Sequence, residues 1–230
     1  MVAIFVAFMF VSLVLADLAV DKWRAWRAAH AASTTHPAAA VVAPGLDALC
    51  QVPDGVHIAA QHTWVKADPK GGLEIGADAL IARAVGTVRR IVLPKVGEQV
   101  TAGQPLFRLE HGGCAVTVPS VFTGRVTAVN GRLTEQPELL SSDPYVSGWI
   151  CYMTPKTALK YQSSMRLGQQ AALWLESEFA RFRDFVSAQV MPDLALGLTS
   201  QDGGIPAVGC LRELGPRAWS AFEANFLPRP

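Results

Sequence analysis

Residues able to do covalent or acid–base chemistry are few and scattered in this chain. Cys114 follows a glycine pair, Gly112-Gly113, with His111 on the other side. An imidazole meeting the thiol across such a turn would lower its pKa and make it a nucleophile or a redox group. A lone thiol fixed to the backbone, with no second cysteine near it in sequence, cannot cycle as a dithiol. Cys114 is therefore read as a small, half-buried residue at a strand start. Cys50, Cys151 and Cys210 stand far apart without a C-x-x-C pair or clustered histidines, which excludes a zinc site and leaves reduced thiols. His62 stands alone, as do His30 and His36. His62 is assigned a capping or hydrogen-bonding role inside a fold, and the other two are taken as solvated. Paired carboxylates, a Ser/His/Asp set and a phosphate-cradling glycine loop are all missing from the pattern. The chain is expected to be non-catalytic, with no metal and no cofactor.

The elements that carry these residues are short. Thr63–Ala67 and Leu73–Ile75 flank a turn-forming DPKGG. Ala77–Ala84 is rich in Ala and Leu and suits a short helix. Thr87–Leu93, Leu106–Glu110, Val116–Val118, Gly124–Val129 and Gly148–Met153 follow as strands between Gly/Pro turns. Strands this short favour a closed barrel or two small packed sheets. Gly112-Gly113 supplies the positive φ angles of a two-residue type I′ hairpin turn. Beyond Thr154, Ala172, Leu175, Phe179, Phe182 and Val186 fall on one face of a helix over Gln169–Val190. A second helix is expected over Pro216–Phe226, with a turn at Ser200–Gly204 between the two.

Val2 to Val20 is apolar but for Ser12 and Asp17, and about 19 residues span roughly 28 Å as a helix, close to bilayer thickness. Lys22, Arg24 and Arg27 follow it, with Trp23 and Trp26 among them. This predicts a single transmembrane helix with the rest of the chain on the cytoplasmic side of the inner membrane. A formal net charge of +1 from 20 basic and 19 acidic residues gives no basic face for nucleic acid. The expected organisation is a span over 1–20, a juxtamembrane helix and Ala/Pro-rich linker over 21–55, a β domain over 56–155 and a helical extension over 156–230.

Residues 56–155 resemble the H-protein of the glycine cleavage system. The match runs through His62-Thr63-Trp64-Val65, Gly86-Thr87-Val88, Leu93-Pro94-Lys95-Val96-Gly97, Ala102-Gly103, Leu109-Glu110, Gly124, Asp143-Pro144-Tyr145 and Gly148-Trp149. The resemblance implies a mainly β fold with helical additions: a lipoyl-type barrel-sandwich, here with the N-terminal transmembrane helix and C-terminal amphipathic helices. In that family the hairpin reads like ESVKA, and its lysine carries the lipoyl arm. Counting back from Gly124 puts Gly113 on the lysine position, with Glu110, Gly112 and Cys114 around it. No lysine occurs between Thr101 and Leu140. The expectation is thus an unlipoylated, membrane-anchored binding or scaffold module that presents its barrel and amphipathic tail to a protein partner. The alternatives are a lipoyl-carrying H-protein, which needs a lipoylated lysine, and a periplasmic adaptor. The adaptor is disfavoured by the charges after the span and by the lack of long helical-hairpin heptads.

Overall fold

The structure, a computed structural model, describes residues 45–69, 71–156, 165–189 and 204–228. The expected span, the juxtamembrane helix and the Ser200–Gly204 turn up to residue 203 lie outside the described residues. Among the described residues no helix is long and apolar enough to cross a membrane. The linker expected through residue 55 ends earlier. A short helix α1 (Leu46–Leu49) already belongs to the folded unit, which starts at Gly45, and Cys50 is 1% exposed in the core. Leu46, Leu49 and Val52 pack against that core, which the Ala/Pro-rich composition around them conceals.

Ten antiparallel strands make two sheets. β1 (Val56–Ile58), β2 (Thr63–Ala67), β3 (Leu73–Ala77), β5 (Gln99–Val100), β8 (Gly124–Val129), β9 (Trp149–Pro155) and β10 (Arg166–Leu167) form one, in the order β10-β1-β2-β3-β9-β8-β5. β4 (Arg90–Val92), β6 (Pro105–His111) and β7 (Cys114–Pro119) form the other, in the order β4-β6-β7. β4 is shorter than the Thr87–Leu93 run suggests: only Arg90 to Val92 pair with β6, and Arg89 adds one amide bond to the Glu110 carbonyl at 2.9 Å. Between β3 and β4 lies α2 (Ala79–Val85), wholly buried. Asp78 caps it, its Oδ1 accepting from the Leu80 and Ile81 amides at 3.0 and 3.2 Å. Two four-residue helices, α3 (Arg132–Glu135) and α4 (Leu139–Ser142), lead into β9.

The residues that carry the sequence resemblance build this frame. Trp64 is fully buried; its indole N–H donates to the Pro144 carbonyl at 3.0 Å, and its ring lies against Gly76. A Cβ on Gly76 would sit 2.5 Å from that ring, so no other residue fits without displacing it. Gly124 is confined in the same way, with the Thr154 carbonyl 2.6 Å from where its Cβ would be. Asn130 ties the turn before β9, its Nδ2 donating to the Ser147 and Trp149 carbonyls, both at 2.9 Å.

The C-terminal helices are α5 (Gln169–Gln189) and α6 (Gly215–Phe226). The apolar stripe of α5 is Ala171, Leu175, Phe179, Phe182 and Val186, with Ala171 buried in place of the expected Ala172. That stripe is not free for a partner. Phe182, Phe222 and Phe226 pack together at ring distances of 4.8–5.8 Å and join one continuous core with the sheets. Fully burying such a side chain contributes roughly 1.5–3 kcal/mol, so the extension is an integral part of the domain. Arg83 of α2 fastens it further, its Nε donating to the Pro206 carbonyl at 2.8 Å while its own carbonyl accepts from the Gly209 amide at 2.7 Å. α6 lies along β7, where Glu223 Oε2 accepts the Thr117 amide at 2.9 Å.

Candidate functional site

The hairpin between β6 and β7 closes as its glycines require. His111 pairs with Cys114, leaving Gly112 and Gly113 as a two-residue turn with φ of +56° and +84°. Positive φ at both central residues is the type I′ requirement. A Cβ built on either glycine would meet nothing within 4 Å, so the tip is bare and surrounded by open space. Gly113, the position expected to correspond to a lysine, presents no amine. Lys66, Lys95 and Lys156 are exposed on other segments, away from this turn. A covalently attached acyl arm does not fit the residues at the tip, and no step through one follows from them.

Cys114 opens β7 half-buried, in the place expected for a structural residue. No side-chain hydrogen bond joins its thiol to the His111 ring, whose Nδ1 is shielded from water without a partner. The activated-thiol geometry is therefore not formed. The three other cysteines are buried, and burial pushes each thiol up to about 12, which removes them from nucleophilic chemistry near neutral pH. Among the described residues no group of three or more His, Cys, Asp or Glu is arranged to hold a metal ion.

What surrounds the tip is charge. Arg90 lies opposite Glu110 in the β4–β6 register, and Arg108 lies two residues before Glu110 on the same face. The Glu110 carboxylate takes Arg108 Nε at 3.3 Å and Arg90 Nη1 at 3.8 Å. Arg89, exposed beside them, has no ion pair among the described residues. Arg89, Arg90, Arg108, Glu110 and His111, with the tip glycines and Cys114, line an open hollow of about 570 Å³. Glu110, expected to be a solvated hairpin residue, is instead paired with the Arg108 and Arg90 guanidinium groups. Sequence reading missed this grouping because only the β4–β6 register brings Arg90 beside Arg108 and Glu110.

A second cluster is buried. His62 ends the β1–β2 turn with φ of +55°, the one non-glycine residue in the left-handed region among the described residues. Its ring is 0% exposed, donating from Nδ1 to Asp78 Oδ2 at 2.8 Å and from Nε2 to Glu178 Oε2 at 3.3 Å. Arg181 Nη2 reaches the same Glu178 oxygen at 2.6 Å, and Trp174 stacks on the imidazole at 4.9 Å. Burial alone would lower the His62 pKa. The Asp78 charge and hydrogen bond, helped by Glu178, outweigh it and raise the pKa to about 9. The ring is thus a sealed imidazolium that joins the sheet to α5. It touches no solvent-filled space, so it holds structure, as expected for His62. Glu178 had a signal in the sequence: an acid at a core position of the α5 apolar stripe, beside Phe179.

A family model for the glycine cleavage H-protein matches residues 56–177. The glycine cleavage system H protein of Mycobacterium avium is 31% identical over 117 residues, covering 51% of this chain and 89% of that protein. That of Mycolicibacterium vanbaalenii is 30% identical over 136 residues, 59% of this chain and all of that protein. The H protein of Listeria welshimeri is 35% identical over 103 residues, 45% of this chain and 82% of that protein. A crystal structure of a Mycobacterium marinum H protein covers 54% of this chain and 98% of its own at 23% identity, with a TM-score of 0.47.

Proposed function

Because the chain belongs to the glycine cleavage H-protein family but ends its hairpin in Gly112-Gly113, we propose that it works as a non-catalytic binding or scaffold module without a lipoyl arm. The observation that carries this reading is the bare tip. The position matching the family's lysine is Gly113, in a left-handed turn with nothing to acylate, and no lysine lies anywhere in the hairpin. The module would act by contact with a protein partner through the exposed hairpin end. Its apolar run at Val2–Val20, followed by Lys22, Arg24 and Arg27, supports attachment to the cytoplasmic membrane with the folded unit on the inner side. A reporter fused to the C-terminus tests that side: activity only of a periplasm-dependent reporter would reverse the topology.

The relatives favour a second reading more directly than the first, since those compared are named as glycine cleavage system H proteins. On that reading the chain is a lipoyl carrier modified on a lysine outside the hairpin. Intact-mass spectrometry of the chain from native membranes separates the two. The contact reading expects the unmodified mass, and an added lipoyl group on any lysine installs the carrier reading in its place.

A further inference from the structure

We infer that the hairpin end docks an acidic segment of a partner protein, its carboxylates seated among Arg89, Arg90, Arg108 and His111. The inference rests on the contact reading above and narrows it to one surface and one chemistry. Three arginines line a hollow whose one carboxylate is Glu110. Glu110 shows what the hollow accepts, because it lies within ion-pair reach of both Arg108 and Arg90. Arg89 is left without a counter-charge among the described residues, and the side chains of Arg90 and Arg108 are 72% and 53% exposed. Arginine forks match carboxylate geometry and are enriched at protein interfaces. Exposed, unbalanced charge of one sign also steers a partner of opposite sign toward contact.

The shape narrows the occupant. Sites for small ligands are enclosed and largely apolar, whereas this hollow is open and four of its eight lining residues are charged. Single-stranded nucleic acid uses aromatic platforms beside its basic track, and no Phe, Tyr or Trp lines this hollow. Gly112 and Gly113 carry nothing that would obstruct an approaching chain, so a peptide backbone can pass close over the turn.

The test uses the full chain in detergent micelles and a fluorescein-labelled hexaglutamate peptide read by anisotropy. The expected result is saturable binding at about 50 mM salt that is largely lost at about 0.5 M, where the screening length falls to a few ångströms. The double variant Arg89→Glu/Arg108→Glu should weaken binding at least tenfold. Arg125→Glu, on an exposed position of β8 in the other sheet, should leave it within twofold. All three positions are exposed, and circular dichroism verifies that the variants fold. Equal binding by the double variant, or equal loss with Arg125→Glu, overturns the inference. Binding of inorganic pyrophosphate or a labelled oligothymidine at this hollow with none of hexaglutamate overturns it in favour of a phosphate ligand. A lipoylated mass would defeat the contact reading while leaving the peptide result standing, so the two failures are distinguishable.

Discussion

The hairpin end and the His62 cluster both place cations around carboxylates, yet they serve opposite ends. At the hairpin, Arg90 and Arg108 share Glu110 in water's reach, at 3.8 and 3.3 Å, and a third arginine remains uncommitted. Around His62 the charges are matched to one another: the buried imidazolium to Asp78 and Glu178, with the half-exposed Arg181 meeting Glu178 from the surface. Exposed pairs contribute little to stability and stay available for exchange with an external carboxylate. Buried ones cannot be exchanged, and breaking one leaves an isolated charge in the interior. The group best suited to acid–base chemistry among the described residues is thus sealed.

The sharpest way to break this comparison is to remove one acid from each cluster. Asp78→Ala takes the nearer of two carboxylates from the His62 imidazolium and uncaps α2, and it should cost about 3–5 kcal/mol in guanidinium denaturation. Glu110→Ala should cost less than about 1 kcal/mol by the same measurement. A reversal of that order would mean the hairpin pairs are structural.

Changing pH probes the same contrast without mutation. Because the folded pKa of His62 is raised from 6.5 to about 9, its contribution is fully present below 6.5 and is lost as pH rises through 9. The shift corresponds to roughly 3 kcal/mol. The denaturation midpoint should therefore fall between pH 7 and 10, and His62→Gln should flatten that dependence. An identical pH profile in His62→Gln would remove the imidazolium from the account.

Smaller effects sharpen the contrast between frame and tip glycines. Gly76→Ala pushes a methyl against the Trp64 ring and should cost about 1–3 kcal/mol in the same unfolding assay. Gly113→Lys places its Cβ in open space and should cost about 1 kcal/mol for its left-handed backbone. With lipoate ligase and lipoate, that variant should gain a lipoyl group by mass spectrometry. A folded variant that stays unmodified would show that the missing amine is not the whole difference at this tip.

Most strands and both long helices were legible because each rests on local signals. Gly112-Gly113 dictates a tight turn, and the spacing of Leu175, Phe179, Phe182 and Val186 dictates a helix face. The destination of that face was not legible. An apolar stripe looks the same whether it meets a partner or the chain's own sheets, and here it meets Phe222 and Phe226. β1 was missed because three residues are too few for alternation to register, and β10 has only two. The His62–Glu178 contact joins residues 116 apart, and no spacing rule reaches that far. The expected correspondence of Gly113 to the family's lysine rests on counting back from Gly124, whereas the grouping of Arg90 and Arg108 about Glu110 needed the β4–β6 register.

The Glu223–Thr117 hydrogen bond has a practical corollary. β7 is the outermost strand of its sheet, and α6 lies along it. Fragments truncated before Gly215 would uncover a row of backbone donors and acceptors on β7, a template for intermolecular strand addition and insolubility. Expression boundaries drawn at the end of the family match, near residue 177, would therefore yield an aggregation-prone product, whereas those running through Phe226 keep the last strand covered.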